Sequence, residues 1–174
     1  VHLCKAVWPH MVAQKYGRIL MTTSSTGLYG NFGQANYGAA KLAQVGLMQT
    51  LSIEGAKHDI RVNALAPTAA TRMTEGLLPP EVMDAIKPEA VVPAMLVAVS
   101  EQAPSRMIFA AGAGTYEAAH ITLTQGVHLG LTPDTPERLL AALAQVADRA
   151  GETVPMSGAE QGTNEVKQAL ATRR

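Results

Sequence analysis

The sequence predicts an α/β fold, a doubly wound parallel sheet followed by a C-terminal helical tail, and three observations carry that prediction. Predominantly apolar runs at 19–23, 60–65 and 107–111 have the length of buried strands. The segments between them place apolar residues at helical spacing, so strands and helices alternate along the chain. Strands that are apolar throughout, instead of alternating, belong to a parallel sheet covered by helices on both faces.

Each element follows from local signals. Residues 5–15 are helix-compatible, and Tyr16-Gly17-Arg18 ends that run before the first strand, Ile19-Leu20-Met21-Thr22-Thr23. A polar, Gly-rich loop occupies 24–34. From 36 to 57, Leu42, Val45, Leu47, Met48 and Leu51 recur at helical spacing with no proline among them, which predicts a long helix. The second strand, 60–65, is stopped by Pro67. Pro79-Pro80 opens a helix ending near 86, and Pro88 opens another that reaches 99, with Met95, Leu96, Val97 and Val99 expected in the core. Trp8 is expected as a partly buried anchor on its helix. Connections between parallel strands are right-handed, so the order β-α-β-α-β describes half of a doubly wound sheet. After the third strand, Ala111-Gly112-Ala113-Gly114 reads as a turn into a further β-like run at 121–124. A tail begins at 131, with a helix over 136–149 carrying Leu139, Leu140, Leu143 and Val146 on one side. Residues 152–174 are polar, poor in aromatics and expected to be partly ordered. The chain thus divides into a sheet domain, 1–130, and a tail, 131–174.

Composition narrows the classes of function. The 174 residues are 47% hydrophobic and 16% charged, enough for a real core. Lys and Arg equal Asp and Glu at 14 each, so the basic surface that nucleic acid or an anionic membrane requires is missing. The single cysteine, Cys4, excludes an internal disulfide and suits a reducing compartment, so the cytoplasm is the expected location. His10, His58, His120 and His128 have no ligand spacing, and no metal is expected. No apolar run approaches the ~18 residues that span a bilayer.

The chemistry begins with Tyr37 and Lys41, four apart on the long predicted helix and therefore on one face. A lysine ammonium near a phenol favours the phenolate, which lets a tyrosine exchange a proton closer to neutral pH. Reversible reduction of a carbonyl by hydride needs such an acid beside the oxygen. Ser24, at the end of the preceding strand, sits where a βα loop at the carboxyl edge of the sheet presents its hydroxyl to the same oxygen. Taken singly these signals are weak, because a Tyr and Lys at this spacing recur by chance and a serine after a strand ordinarily caps backbone groups.

Context strengthens them. Gly17-Arg18-Ile19-Leu20-Met21-Thr22-Thr23-Ser24-Ser25-Thr26-Gly27, followed by Gly33-Gln34-Ala35-Asn36-Tyr37-Gly38-Ala39-Ala40-Lys41, resembles the active-site stretch of short-chain dehydrogenases/reductases. The resemblance continues through 60–67 and 111–114. Leu28 to Tyr37, Thr71-Arg72-Met73-Thr74 and Lys87-Pro88-Glu89 look most like the (3R)-hydroxyacyl-CoA dehydrogenase region of type 2 multifunctional enzymes of peroxisomes and their bacterial relatives. The resemblance implies a Rossmann-like fold and a hydride transfer between NAD or NADP and a secondary alcohol or ketone, with a 3-hydroxyacyl thioester as the small-molecule substrate. It implies Tyr37 as acid/base, Lys41 as its charged partner and holder of the nicotinamide ribose, and Ser24 as the carbonyl-orienting hydroxyl. It also implies that Pro67, Thr68 and Thr71 line the nicotinamide amide and pyrophosphate, that 73–88 forms a flap over the substrate, and that the protein is a homodimer or homotetramer. The family's helix pairing, with Ala39, Ala40, Ala43 and Gly46 allowing close approach, places Leu47 or Met48 near that interface.

Three departures stand beside the resemblance. Thr68 follows Pro67 where most members have glycine, and His2 stands near where many carry a catalytic asparagine, so His2 is given no role. The Gly-rich fingerprint that seats a dinucleotide pyrophosphate on a helix N-terminus is nowhere in the chain, nor is the residue that chooses NAD or NADP. The expectation is therefore the C-terminal half of such an enzyme, with a non-catalytic fragment or dimerisation module as the alternative.

Overall fold

A computed structural model describes residues 1–71 and 79–172 of the chain. They form two compact units, Val1–Ala119 and His120–Arg174.

The first unit is the α/β sheet. Helix α1 (His2–Gln14) leads through Lys15, in the left-handed region at φ 54, into β1 (Gly17–Thr22). A short helix, α2 (Ser25–Tyr29), occupies part of the expected loop. The long helix α3 (Ala35–Gly55) ends in a single 3-10 turn, Ala56–His58, before β2 (Ile60–Pro67). Then come α4 (Pro80–Ala85), a 3-10 turn (Pro88–Val91), α5 (Val92–Val99), β3 (Ile108–Gly112) and β4 (Thr115–Ala119).

Strand order is β1-β2-β3-β4. The first three are parallel, with Gly17 opposite Ile60, Thr22 opposite Leu65, and Pro67 opposite Ala111. β4 is antiparallel to β3, with Ile108 opposite Ala119, so the sheet is mixed and the expected all-parallel arrangement holds for three strands of four. Between β3 and β4, Ala113 and Gly114 both adopt positive φ, 51 and 73. That is the two-residue turn whose twist matches paired antiparallel strands. The hairpin starts its second strand at Thr115, whereas the expected β-like run at 121–124 contributes one isolated bridge, Leu123 to Thr153.

Helices cover both faces, as the doubly wound reading requires. On one face Met21, Ile60, Val62, Ala64 and Ile108 pack with Val45 and Met48 of α3, and half-buried Cys4, Trp8 and Met11 of α1 close over them. On the other, Leu65 and Ala111 meet Val91 and Ala94, with Leu20 and Phe109 beside them. Met48 is fully buried here and belongs to the core, so of the two residues expected near an interface, Leu47 or Met48, only Leu47 is partly exposed. The core expected from α5 is also corrected. Met95, Leu96, Val97 and Val99 are exposed, and Ala94 and Ala98, four apart, are the buried residues. Small side chains at that spacing let the helix lie close to the sheet and turn its larger residues outward.

Two polar residues tie the layers together. Asn63 of β2 is fully buried. Its amide donates to Ala98 O at 3.0 Å and Pro104 O at 2.7 Å, while its Oδ1 accepts from Met107 N at 3.0 Å. Arg18 of β1, 5% exposed in its side chain, donates to the carbonyl oxygens of Ser100 and Glu101 and pairs with Asp59 at 3.2 Å. Partial burial works to raise the Asp59 pKa, but hydrogen bonds from Arg18 and Arg61 and the charges of both outweigh it, and the carboxyl sits below the ordinary range.

In the second unit the expected helix over 136–149 appears as two pieces, α6 (Thr135–Ala141) and α7 (Leu143–Val146), interrupted at Ala142. The expected partly ordered tail instead contains α8 (Gly158–Ala171). Leu123 and Thr153 exchange backbone hydrogen bonds of 2.8 and 2.9 Å, Thr124 Oγ1 donates to Val146 O at 2.8 Å, and the Gln168 amide donates to Gln125 O at 2.9 Å. Among the described residues no helix is long and apolar enough to cross a membrane.

Candidate active site

The candidate residues gather at the carboxyl ends of β1 and β2, where a parallel sheet opens toward its loops. β1 ends at Thr22, and Ser24 is the N-cap of α2, with its Oγ accepting from Thr26 N at 3.2 Å. A serine there satisfies one of the free N–H groups of the first helical turn. The capping role anticipated for an ordinary post-strand serine is therefore present, and it also fixes where Ser24 stands.

Tyr37 and Lys41 lie in the first two turns of α3, on one face as their spacing requires. The Lys41 ammonium is 5.6 Å from the centroid of the Tyr37 ring and donates to Thr22 O at 2.9 Å. Tyr37 is 41% exposed, so its phenol is open to a reactant. Its backbone N–H is held by Asn36 Oδ1 at 2.8 Å.

Residues not singled out from the sequence hold this arrangement. The Thr23 hydroxyl donates to Lys41 O at 2.8 Å, and Thr23 N donates to Leu65 O at 2.8 Å. Thr26 Oγ1 donates to Gln34 Oε1 at 3.0 Å, which also accepts from Asn31 Nδ2 at 3.2 Å. Gly27 lies so near α3 that a Cβ on it would stand 2.8 Å from the Lys41 Cβ. One signal was available for Thr23: it continues the face of β1 that carries Met21 toward α3, and a polar residue at an otherwise apolar position invites the question of its partner.

Pro67 ends β2, and Thr68 N donates to Ala111 O at 2.8 Å. Thr68 and Thr71 are both exposed, and Ala70 between them donates to Ile86 O at 2.7 Å, joining this segment to the end of α4. Of the flap expected over 73–88, residues 73–78 lie outside the described residues, as do Arg72, Met73 and Thr74 of the motif quoted above. His2 is exposed in the first turn of α1. Among the described residues no group of His, Cys, Asp and Glu is arranged to hold a metal ion. The site thus assembles a phenol, an ammonium and several hydroxyls around the open end of a parallel sheet, a set suited to moving one proton at an oxygen atom.

Comparison with known proteins shows what this chain is similar to. Residues 1–81 match the family model described as short chain dehydrogenase. A Mycobacterium tuberculosis protein of the short-chain type dehydrogenase/reductase class is 42% identical over 154 residues, covering 88% of this chain and 54% of that protein. The mouse peroxisomal multifunctional enzyme type 2 is 43% identical over 156 residues, covering 88% of this chain and 21% of the enzyme. Among solved structures, full-length peroxisomal multifunctional enzyme type 2 from Drosophila melanogaster superposes with a TM-score of 0.82 at 30% identity, over 97% of this chain and 31% of that one. This chain spans about half the length of the first of these relatives, and less of the others.

Proposed function

We propose, from the premise that this chain belongs to the short chain dehydrogenase family, that it carries the proton-transfer half of the active site of an NAD(P)-dependent oxidoreductase. The observation that carries this reading is the Lys41 ammonium held at 2.9 Å on Thr22 O and 5.6 Å from the Tyr37 ring centroid, one turn of helix from an exposed phenol.

In the direction of reduction, Tyr37 gives its phenolic proton to the substrate oxygen, and the nearby Lys41 charge stabilises the phenolate that remains. In oxidation the same phenolate takes the alcohol proton. Ser24, held by its capping bond to Thr26, offers its hydroxyl to the same oxygen and sets the direction of approach. The donor set fits a nicotinamide nucleotide: Lys41 and Tyr37 would hold the ribose hydroxyls, and Pro67, Thr68 and Thr71 would line the amide and pyrophosphate. Bound there, NAD or NADP supplies or accepts the hydride. The Gly-rich turn on which a dinucleotide rests is not among these residues, so this chain supplies part of the site.

For substrate we take a 3-hydroxyacyl thioester or its 3-oxo partner, on the similarity to the multifunctional enzymes. We further take residues 1–130 as the back half of the dehydrogenase domain and 131–174 as its tail. We place the protein in the cytoplasm on its single cysteine, and as a homodimer or homotetramer. The oligomer is supported by the outer face of α1 and α3, where Val1, Cys4, Trp8, Leu47 and Leu51 line a groove of about 400 Å³.

Replacing Tyr37 by Phe in the full-length protein tests the core of the reading. Turnover should fall by ~10²-fold or more with folding retained, because only the proton donor is removed. Near wild-type turnover refutes the assignment and leaves the chain as an interaction module of the same fold.

A further inference from the structure

We propose that Thr23 is a positioning residue for Lys41, a role that rests on the dehydrogenase reading above and extends it to a side chain outside the reacting set. Thr23 is 1% exposed, one of three buried polar residues alongside Ser52 and Asn63 among the described residues. Alternation along β1 places it on the face of Met21, turned toward α3. Valine has nearly the same shape and is at home on such a face, and a buried hydroxyl is unfavourable unless it is bonded. Among the described residues the Thr23 hydroxyl has one bond, to the backbone oxygen of Lys41 at 2.8 Å.

That carbonyl lies inside α3, where the helix ladder already supplies an N–H from the residue four positions on. The helix therefore does not need the Thr23 hydroxyl to satisfy it. The added bond instead fixes the distance between the end of β1 and one turn of α3, and that turn bears Lys41.

The neighbouring residues act on the same lysine. Thr22 O accepts from its ammonium at 2.9 Å, so consecutive residues of β1 and its extension hold Lys41 by the head and by the backbone. Gly27 presses on the Lys41 stem, where an added Cβ would lie 2.8 Å from the lysine Cβ. Ser24 is the next residue after Thr23, so a single stretch of chain sets the places of both the carbonyl-orienting hydroxyl and the ammonium. Without the Thr23 hydroxyl the strand end and the helix are joined here by packing and by the ammonium itself, and the ammonium loses its fixed place beside Tyr37.

The test compares Thr23→Val with Thr23→Ser in the full-length protein. Reductive methylation of lysines, read by mass spectrometry, reports the freedom of Lys41 against Lys5, Lys57 and Lys87 in the same sample. Thr23→Val should raise the Lys41 rate relative to those lysines by about threefold, through local loosening. Thr23→Ser should keep the wild-type ratio. In turnover, Thr23→Val should lower kcat by ~10-fold with KM within about twofold, and Ser should restore it, because a misplaced group costs rate more than binding. An unchanged labelling ratio in Thr23→Val overturns the proposal, as does a rise shared equally by all four lysines, which marks general loss of structure. If the valine variant fails to fold, Thr23→Ala is read in the same way, and a wild-type ratio there overturns the proposal. A wild type without dehydrogenase turnover defeats the functional reading, whereas the labelling ratio still decides whether Thr23 holds Lys41.

Discussion

Gly27→Ala places one methyl group between two helices that meet at the candidate site. A Cβ on Gly27 would stand 2.8 Å from the Lys41 Cβ, 3.0 Å from Leu42 N and 3.1 Å from the Lys41 carbonyl carbon. Comfortable contact between carbon atoms is about 3.5–4.0 Å, so α2 has to retreat from α3 by roughly 0.5–1 Å. Two of the three atoms belong to the α3 backbone and cannot rotate aside. Overpacking of this kind costs about 1–3 kcal/mol, while alanine in place of glycine in a helix returns up to about 1 kcal/mol. The net expectation is a loss of about 1 kcal/mol. Activity should suffer more than stability, because α2 begins at its Ser24 cap and carries that hydroxyl away from Tyr37 and Lys41. A displacement near 1 Å costs up to ~10²-fold in rate, so turnover should fall by ~10- to 100-fold. Urea denaturation followed by circular dichroism, with steady-state kinetics, measures both. Gly162→Ala in α8 is the control: nothing lies within 4 Å of its added Cβ. That change should slow amide exchange in α8 by an amount corresponding to about 0.5–1 kcal/mol and leave turnover alone. A Gly27→Ala protein with wild-type stability and turnover refutes the close-approach argument.

Three further outcomes follow from the fold. Asn63→Leu removes three buried hydrogen bonds, to Ala98 O, Pro104 O and Met107 N, and should cost about 3 kcal/mol in urea denaturation at ~1 kcal/mol per bond; a loss under ~1 kcal/mol counts against the role given to it. Asp59, held below the ordinary carboxylate range by Arg18 and Arg61, contributes stability that is complete above the unfolded pKa and is lost as pH falls through the folded one. Asp59→Asn, which tolerates the left-handed backbone at φ 51, should therefore be less stable than wild type near neutrality, and the gap should close in acid below pH 3.8; a gap independent of pH disproves the ion-pair contribution. Leu47→Glu places a charge in the groove between α1 and α3 and should reduce the mass of the full-length protein measured by light scattering. A wild type that runs as a monomer defeats the proposed oligomer.

The order of elements and the family were legible in the sequence because both rest on local patterns. Apolar runs of strand length, helical spacing from Leu42 to Leu51 and prolines at helix starts need no knowledge of the tertiary fold, and they located β1, α3, β2, α5 and β3. Errors arose where one pattern admits two packings. The residues 92–99 are apolar all round, so periodicity does not say which side faces the sheet, and volume decided for Ala94 and Ala98. The β4 strand, TYEAA, is polar on one side and short; pairing with β3 through the Ala113-Gly114 turn makes it a strand. Helix α8 was hidden by its polarity: it carries few apolar residues, none of its residues is buried, and Val166 and Leu170 are exposed.

Ser24, Tyr37 and Lys41 were readable as residue types at a spacing, and the i, i+4 geometry of a helix by itself puts the last two on one face. What the sequence determined, then, is the alternation of strands and helices and the identity of the groups proposed to do chemistry, both written in intervals of a few residues. What only the tertiary structure decided is how those groups are held: the Thr23 hydroxyl on the Lys41 carbonyl, the Lys41 ammonium on the Thr22 carbonyl, and Gly27 against the Lys41 stem. Each of these joins β1 or α2 to α3 across a gap in sequence of 14 residues or more, and no local periodicity specifies such a distance. Parallel pairing of β1 with β2 and the packing of α3 across them bring those atoms together, so the precision of the site is a property of the assembled layers.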